Sequence, residues 1–128
     1  MISKISEGVK IDVDTSYQPE YSNPIQSEFL FSYKITITNN NNFPIKLLRR
    51  HWFIIDSNCI HKEVEGEGVV GVQPIINCYD TYQYISACNL KSELGKMHGN
   101  YQFENLQNNQ LFMVEIPEFI LESPFKLN

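Results

Sequence analysis

The chain has 128 residues, 42% hydrophobic and 20% charged, a balance that suits one globular unit with one core and excludes bulk disorder. A net charge of −5 argues against non-specific nucleic-acid binding, which needs a cationic surface. MISKISEGVKIDV at the amino terminus lacks the apolar centre of a signal peptide, and no run is long enough to span a membrane, so a cytoplasmic location is expected.

Strand signals dominate in chain order. Residues 1–8 read as a loose arm. VKIDVDTSY (9–17) alternates, with Val9, Ile11, Val13, Thr15 and Tyr17 on one side. FLFSYKITI (29–37) alternates more strongly, placing Phe29, Phe31, Tyr33, Ile35 and Ile37 on one face, the period-2 pattern of a half-buried antiparallel strand. The asparagines of 39–42 signal a turn. PIKLLRRHWFIID (44–56) is apolar on both faces, as a central strand packed on two sides would be. In strict alternation, Arg49 and His51 share a face with Leu47 and Phe53, and Arg50 goes with Leu48, Trp52 and Ile54. Asp56 is followed by a Ser-Asn turn, and CIHKEV (59–64) reads as the return arm of a hairpin. YDTYQYIS (79–86), GNYQFENL (99–106) and QLFMVEIPEF (110–119) are further strands, while 87–96 holds one helical turn at most. Seven or eight short strands with no convincing helix predict an all-β antiparallel sandwich, with residues 1–128 as a single domain.

Between them lies GEGVVG, with Gly66, Gly68 and Gly71 in the G-x-G-x-x-G spacing of dinucleotide-binding loops. That loop needs a parallel strand leading in and a helix beginning inside the motif, its amino end toward the pyrophosphate. Here VVGVQPII follows Gly68, and three β-branched valines and a proline make a poor helix start. Backbone geometry at a bulge or tight corner is the favoured use of the glycines. A nest of amides that binds an anion, with Arg49 beside it, is the minority reading.

Taken together, LLRRHWFIID (47–56), EVEGEGVVGVQP (63–74), YQYISACNL (82–90), GKMHGNYQF (95–103) and FMVEIPEFIL (112–121) resemble the ApaG family of small bacterial proteins. VDTSYQPEYSNPIQSEFLFSYKITITN (13–39) fits the same pattern, so the resemblance covers nearly the whole chain. One departure is Ala87-Cys88, where the family usually carries a glycine after the serine. The resemblance implies a fibronectin type III-like (immunoglobulin-like) sandwich. It also implies a genetic association with cobalt resistance and magnesium efflux, and, from related domains in F-box proteins and a polymerase-delta-interacting protein, a protein-binding role.

Other features carry weaker chemistry. Glu63, Glu65 and Glu67 alternate and would line one strand face. Three carboxylates attract hard cations, but an exposed, solvated edge explains them as well, and no metal ligand set is assigned. His51, His61 and His98 are scattered, no catalytic constellation is recognisable, and no cofactor is expected. Cys59, Cys78 and Cys88 cannot all pair; buried free thiols in a reducing compartment are the expectation. Pro117 cannot donate to a ladder, which predicts an edge strand or a strand end. Phe119, Leu121 and Phe125 either cap the core or form a contact surface for a partner. The expected function is therefore a non-catalytic protein-binding module, its partner a second protein or another copy of the chain in a homodimer. The alternatives are a phosphate-, pyrophosphate- or nucleotide-binding protein using GEGVVG, and a cation-responsive regulator.

Overall fold

A computed structural model describes residues 1–124. Among them are nine strands: β1 (Ile2–Ser6), β2 (Val9–Tyr17), β3 (Phe29–Asn39), β4 (Ile45–Asp56), β5 (His61–Glu67), β6 (Ile75–Ile76), β7 (Thr81–Leu90), β8 (Leu94–Asn105) and β9 (Leu111–Glu122). The only helical elements among the described residues are two single 3-10 turns, Pro19–Tyr21 and Pro24–Gln26, and no helix there is long and apolar enough to cross a membrane. Two antiparallel sheets, ordered β1-β2-β3-β7 and β5-β4-β8-β9 with β6 pairing β4, form the expected sandwich.

Alternation explains the layers. Val9, Ile11 and Val13 of β2 and Phe31, Tyr33, Ile35 and Ile37 of β3 are buried, the faces the period-2 pattern selects. They meet Leu47, Trp52 and Ile54 of β4, Tyr101 and Phe103 of β8, and Val114, Ile116, Phe119 and Leu121 of β9. An aromatic cluster sits at the middle: Tyr33, Tyr101 and Phe119 lie 5.4, 6.3 and 5.9 Å from Trp52 between ring centres, edge to face. Such pairs add to area burial because the ring edge is positive and the face negative.

Several sequence expectations need correction. The first residues are a strand, not a loose arm. β1 runs along β2 from Ile2 opposite Val13 to Ser6 opposite Val9, yet its side chains are mostly exposed. Backbone pairing and polar contacts hold it, so hydrophobic periodicity gave no signal. Residues 87–96 are strand and turn: Ala87–Leu90 finish β7, and Leu94 opens β8. Buried Asp56 organises that turn by accepting from the Lys91 amide at 2.6 Å and from the Ser92 hydroxyl. β4 is interior in its sheet but covered on one face only, with Arg49, His51, Phe53 and Ile55 half-buried on the outside. Cys59 and Cys78 are exposed, and only Cys88 is buried; all three are free.

Two bulges set which side chains face the core. On β4 the register shifts between Leu47 and Arg49. Leu48 is the additional residue, so Leu47 is buried inside while Arg50, Trp52 and Ile54 continue the inner face. Strict alternation had put Leu47 with Arg49. The second shift lies between Met97 and Gly99 on β8, where β9 advances from Phe119 to Ile116. The extra residue is on β9 at Pro117, which lacks the N–H that a regular ladder would use. β9 is also an edge strand, as this proline predicts.

Candidate functional site

The glycine segment begins as β5 and ends as a hairpin. β5 pairs β4 from His61 opposite Ile55 to Glu67 opposite Arg49. Val69 and Val72 then exchange both amide hydrogen bonds, at 2.8 and 3.0 Å. The residues between them, Val70 and Gly71, have φ of 47° and 80°, the two positive values a type I′ turn demands. No helix starts here. Three of the amides a nest would use are already committed to carbonyls: those of Val69 and Val72 to each other's, and that of Gly68 to Leu48 at 2.8 Å.

Each glycine has its own reason. Gly68 has φ of 63°, and a Cβ there would fall 2.2 Å from the Val72 carbonyl oxygen. At Gly66 the neighbour is a side chain, since an added Cβ would lie 3.1–3.3 Å from the Arg50 guanidinium. Gly71 has open space around it, and only its positive φ favours glycine. The spacing combines two backbone requirements, close approach and turn handedness.

The hairpin is strapped to the β4 bulge. Leu48 oxygen accepts from the Gly68 amide and, at 3.0 Å, from Gln73 Nε2, while the Leu47 amide donates to Pro74 oxygen at 3.0 Å. Arg50 completes the attachment: its Nη1 donates to the Glu67 and Gly68 carbonyls at 2.9 and 3.1 Å. Arg49, the arginine expected beside the loop, points to the outer face and pairs with Glu65 at 3.7 Å. Adjacent strand residues point to opposite faces, so only one of the pair can reach the loop, and the bulge aims Arg50 inward.

The three glutamates of β5 lie on the outer face beside this pairing. Glu63 Oε1 is 3.2 Å from His51 Nε2, off the hydrogen-bond direction but close enough for an ion pair. Farther in, Phe53 stacks on His98 at 5.0 Å. No His, Cys, Asp or Glu cluster able to hold a metal occurs among the described residues. Phe119 and Leu121 are 3% and 0% exposed; Phe119 packs against both Tyr33 and Trp52 and so forms no contact surface. Phe125 lies outside the described residues.

A concave site not anticipated from sequence opens where the sandwich is unclosed. β5 and β7 are edge strands on the same side, and a cleft of about 250 Å³ lies between them. Tyr33, Trp52, Ile54, Val64 and Met97 form its apolar lining, Ser86, Cys88 and Asn89 its β7 side, and Arg50 and Lys62 its cations. A smaller hollow of about 140 Å³ continues along the seam, sharing Ile54, Lys62 and Asn89 and adding Asp56 and Lys91. Burial pushes the Cys88 thiol up to about 11, offset in part by Lys62. A thiol protonated at neutral pH is a poor nucleophile. Burial likewise raises Tyr33, against the opposing hydrogen bond with Ser86. Sequence alone could not locate this cleft, because it is made by the edges of strands far apart in the chain.

Comparison with known proteins is decisive for the family. The model of the ApaG domain matches residues 19–105. The chain belongs to the ApaG domain family. Protein ApaG of Agrobacterium fabrum is 40% identical over 124 residues, spanning 97% of this chain and 95% of that protein. Protein ApaG of Brucella canis is 38% identical over the same spans. Among solved structures, the putative ApaA protein from Bordetella pertussis superposes with a TM-score of 0.88 at 37% identity, covering 92% of this chain and 95% of that one. A second X-ray structure, a structural-genomics target, gives 0.87 at 38% identity, covering 94% and 90%. ApaG membership thus accounts for the sandwich, and the glycine hairpin falls within the matched region.

Proposed function

We propose that this ApaG-type chain is a non-catalytic protein-binding module, and that it receives an extended segment of its partner along β7. The observation that carries this reading is the open seam. On the opposite side the sandwich is held shut: Lys4 of β1 pairs with Glu115 of β9, and the Glu115 amide donates to the Ser6 hydroxyl at 3.0 Å. On the seam side β7 pairs β3 along one edge and borders the cleft along the other. An edge of ten residues, unpaired among the described residues, can add a strand, with main-chain hydrogen bonds giving affinity and pockets for alternate side chains giving specificity.

The commitment of the Gly68, Val69 and Val72 amides leaves the glycine hairpin little to offer a phosphate, and Arg49 and His51 answer Glu65 and Glu63. Both features favour the binding-module reading over a phosphate-ligand protein or a cation-responsive regulator. The test is peptide selection on the immobilised chain, followed by amide exchange measured with and without a selected peptide. Alternate β7 amides should gain protection on binding. Selected peptides that leave β7 exchange unchanged while protecting another surface would reject the proposal.

A further inference from the structure

Within that binding-module reading, on which this step rests, we infer that the seam selects an extended segment carrying an acidic side chain, anchored between Arg50 and Lys62. The chain is acidic overall, at −5, yet the main cleft has two cations and no carboxylate among its lining residues. Lys4, Lys10, Arg49 and Lys96 each lie within ion-pair distance of a carboxylate. Among the described residues Lys34, Lys46, Arg50, Lys62 and Lys91 have no such partner, and of these Arg50 and Lys62 line the cleft. Their charge is not consumed inside the fold.

Arg50 is also held in place. Nη1 is tied to the Glu67 and Gly68 carbonyls, and Gly66 leaves room for the guanidinium to lie across β5. A guanidinium has five N–H donors, so these two bonds fix its orientation without exhausting it. A cation immobilised before binding loses less side-chain freedom when it meets a carboxylate.

Shape argues for an extended occupant. The two hollows share Ile54, Lys62 and Asn89 and run along one seam, forming an elongated groove. A strand added to β7 would point every second side chain toward the space between the sheets, at roughly 7 Å intervals. One such side chain meets Arg50, Lys62 and Ser86 in the larger hollow. The next lies over the smaller, where Ile60 and Leu90 offer apolar contact and the Asp56 carboxylate disfavours a second acidic side chain. The groove therefore fits an acidic residue followed, two positions on, by an apolar one.

The experiment uses two capped nonapeptides that alternate valine with threonine, the central valine replaced by glutamate in one and by glutamine in the other, titrated against the full chain. Trp52, the single tryptophan, lines the cleft and reports occupancy by fluorescence. The glutamate peptide should bind about tenfold more tightly than the glutamine peptide, equivalent to 1.4 kcal/mol, despite its repulsion by the net charge. Lys62→Gln should erase most of this preference. Arg50→Gln should do so too, but can loosen the hairpin; Lys62 forms no hydrogen bond within the fold among those described, so its variant tests the idea with the structure intact. Equal binding of both peptides would overturn the acidic anchor and leave strand addition standing. A glutamate preference unchanged in Lys62→Gln would also overturn it. Binding of neither peptide would overturn the anchor, while amide exchange with selected peptides separately decides strand addition.

Discussion

Replacing the three motif glycines one at a time by alanine separates a structural hairpin from a ligand loop. At Gly68 the new Cβ would fall 2.2 Å from Val72 oxygen, with φ at 63°. The left-handed conformation alone costs about 1–2 kcal/mol for a non-glycine residue. The clash with a backbone oxygen must also be relieved by moving Val72, which disturbs the Val69–Val72 pair of hydrogen bonds, each worth about 1 kcal/mol. Gly68→Ala should therefore destabilise the chain by about 3–4 kcal/mol. At Gly71 the space is open and φ is 80°, so Gly71→Ala should cost only the conformational part, about 1–2 kcal/mol. Gly66 has ordinary backbone torsions, and its Cβ would press on a flexible guanidinium at 3.1–3.3 Å; about 1 kcal/mol or less is expected. Urea denaturation followed by Trp52 fluorescence measures all three. A dinucleotide loop would show these effects as lost ligand affinity. The hairpin shows them as lost stability in the order Gly68, Gly71, Gly66. Equal losses at all three positions, or a Gly68→Ala chain as stable as the parent, would refute this geometry.

Further outcomes follow from the same structure. Val70 is a β-branched residue at positive φ and 63% exposed; Val70→Asn, suited to the first centre of a type I′ turn, should stabilise by about 1 kcal/mol, read as a rise in Tm. The buried amide of Asn39 donates to the Phe43, Ile76 and Asn77 carbonyls and accepts from the Asn41 amide. Asn39→Asp would turn a carboxylate toward three carbonyl oxygens and should cost about 3 kcal/mol or more, with partial recovery at acid pH where the carboxyl regains a proton. Cys88, raised to about 11 by burial, keeps its proton in the fold while the unfolded chain ionises from about pH 9. Its contribution is complete below pH 9 and is lost as the pH rises toward 11, and the raised Tyr84 and Tyr101 extend the loss upward. Denaturation between pH 8 and 11 should show a shallower decline in Cys88→Ala than in the parent; identical slopes would contradict the assignment.

The parts of the fold that can be read from the residues are those where one side chain pattern answers to one environment. β2 and β3 alternate cleanly because their inner side chains are buried and their outer ones are not. Pro117 also carries its own signal, since a missing N–H forbids a regular interior ladder. Leu48 carries none: a leucine at a bulge looks like a leucine anywhere, and the bulge reverses the phase on one side of it. Arg50 was correctly grouped with Trp52 and Ile54, but its carbonyl targets depend on where β5 returns, a long-range fact. β1 was missed because exposed side chains leave no periodicity. The seam was missed because Arg50 and Lys62 on one sheet meet Ser86 and Asn89 on the other, and no local pattern encodes that meeting.

The glycine string, the double arginine and the bulge are one mechanical unit. Were Leu48 accommodated in a regular ladder and not in a bulge, strict alternation from the buried Leu47 would turn Arg49 inward and carry Arg50 to the outer face. With the bulge, Leu48 oxygen is free to accept from Gly68 and Gln73, and Arg50 is free to clamp the Glu67 and Gly68 carbonyls from within. Gly66 provides the clearance that this clamp needs, and Gly68 allows the chain to close its hairpin over it. The opposite side of the sandwich follows another logic: the Lys4 ammonium, through its hydrogen bond and charge, holds the Glu115 carboxyl below its usual range, so charges there neutralise each other across β1 and β9. A cation fixed by carbonyls, which bring no compensating negative charge, keeps its attraction for an external anion. In the proposed binding role, the glycine motif serves by positioning Arg50 at the mouth of the seam.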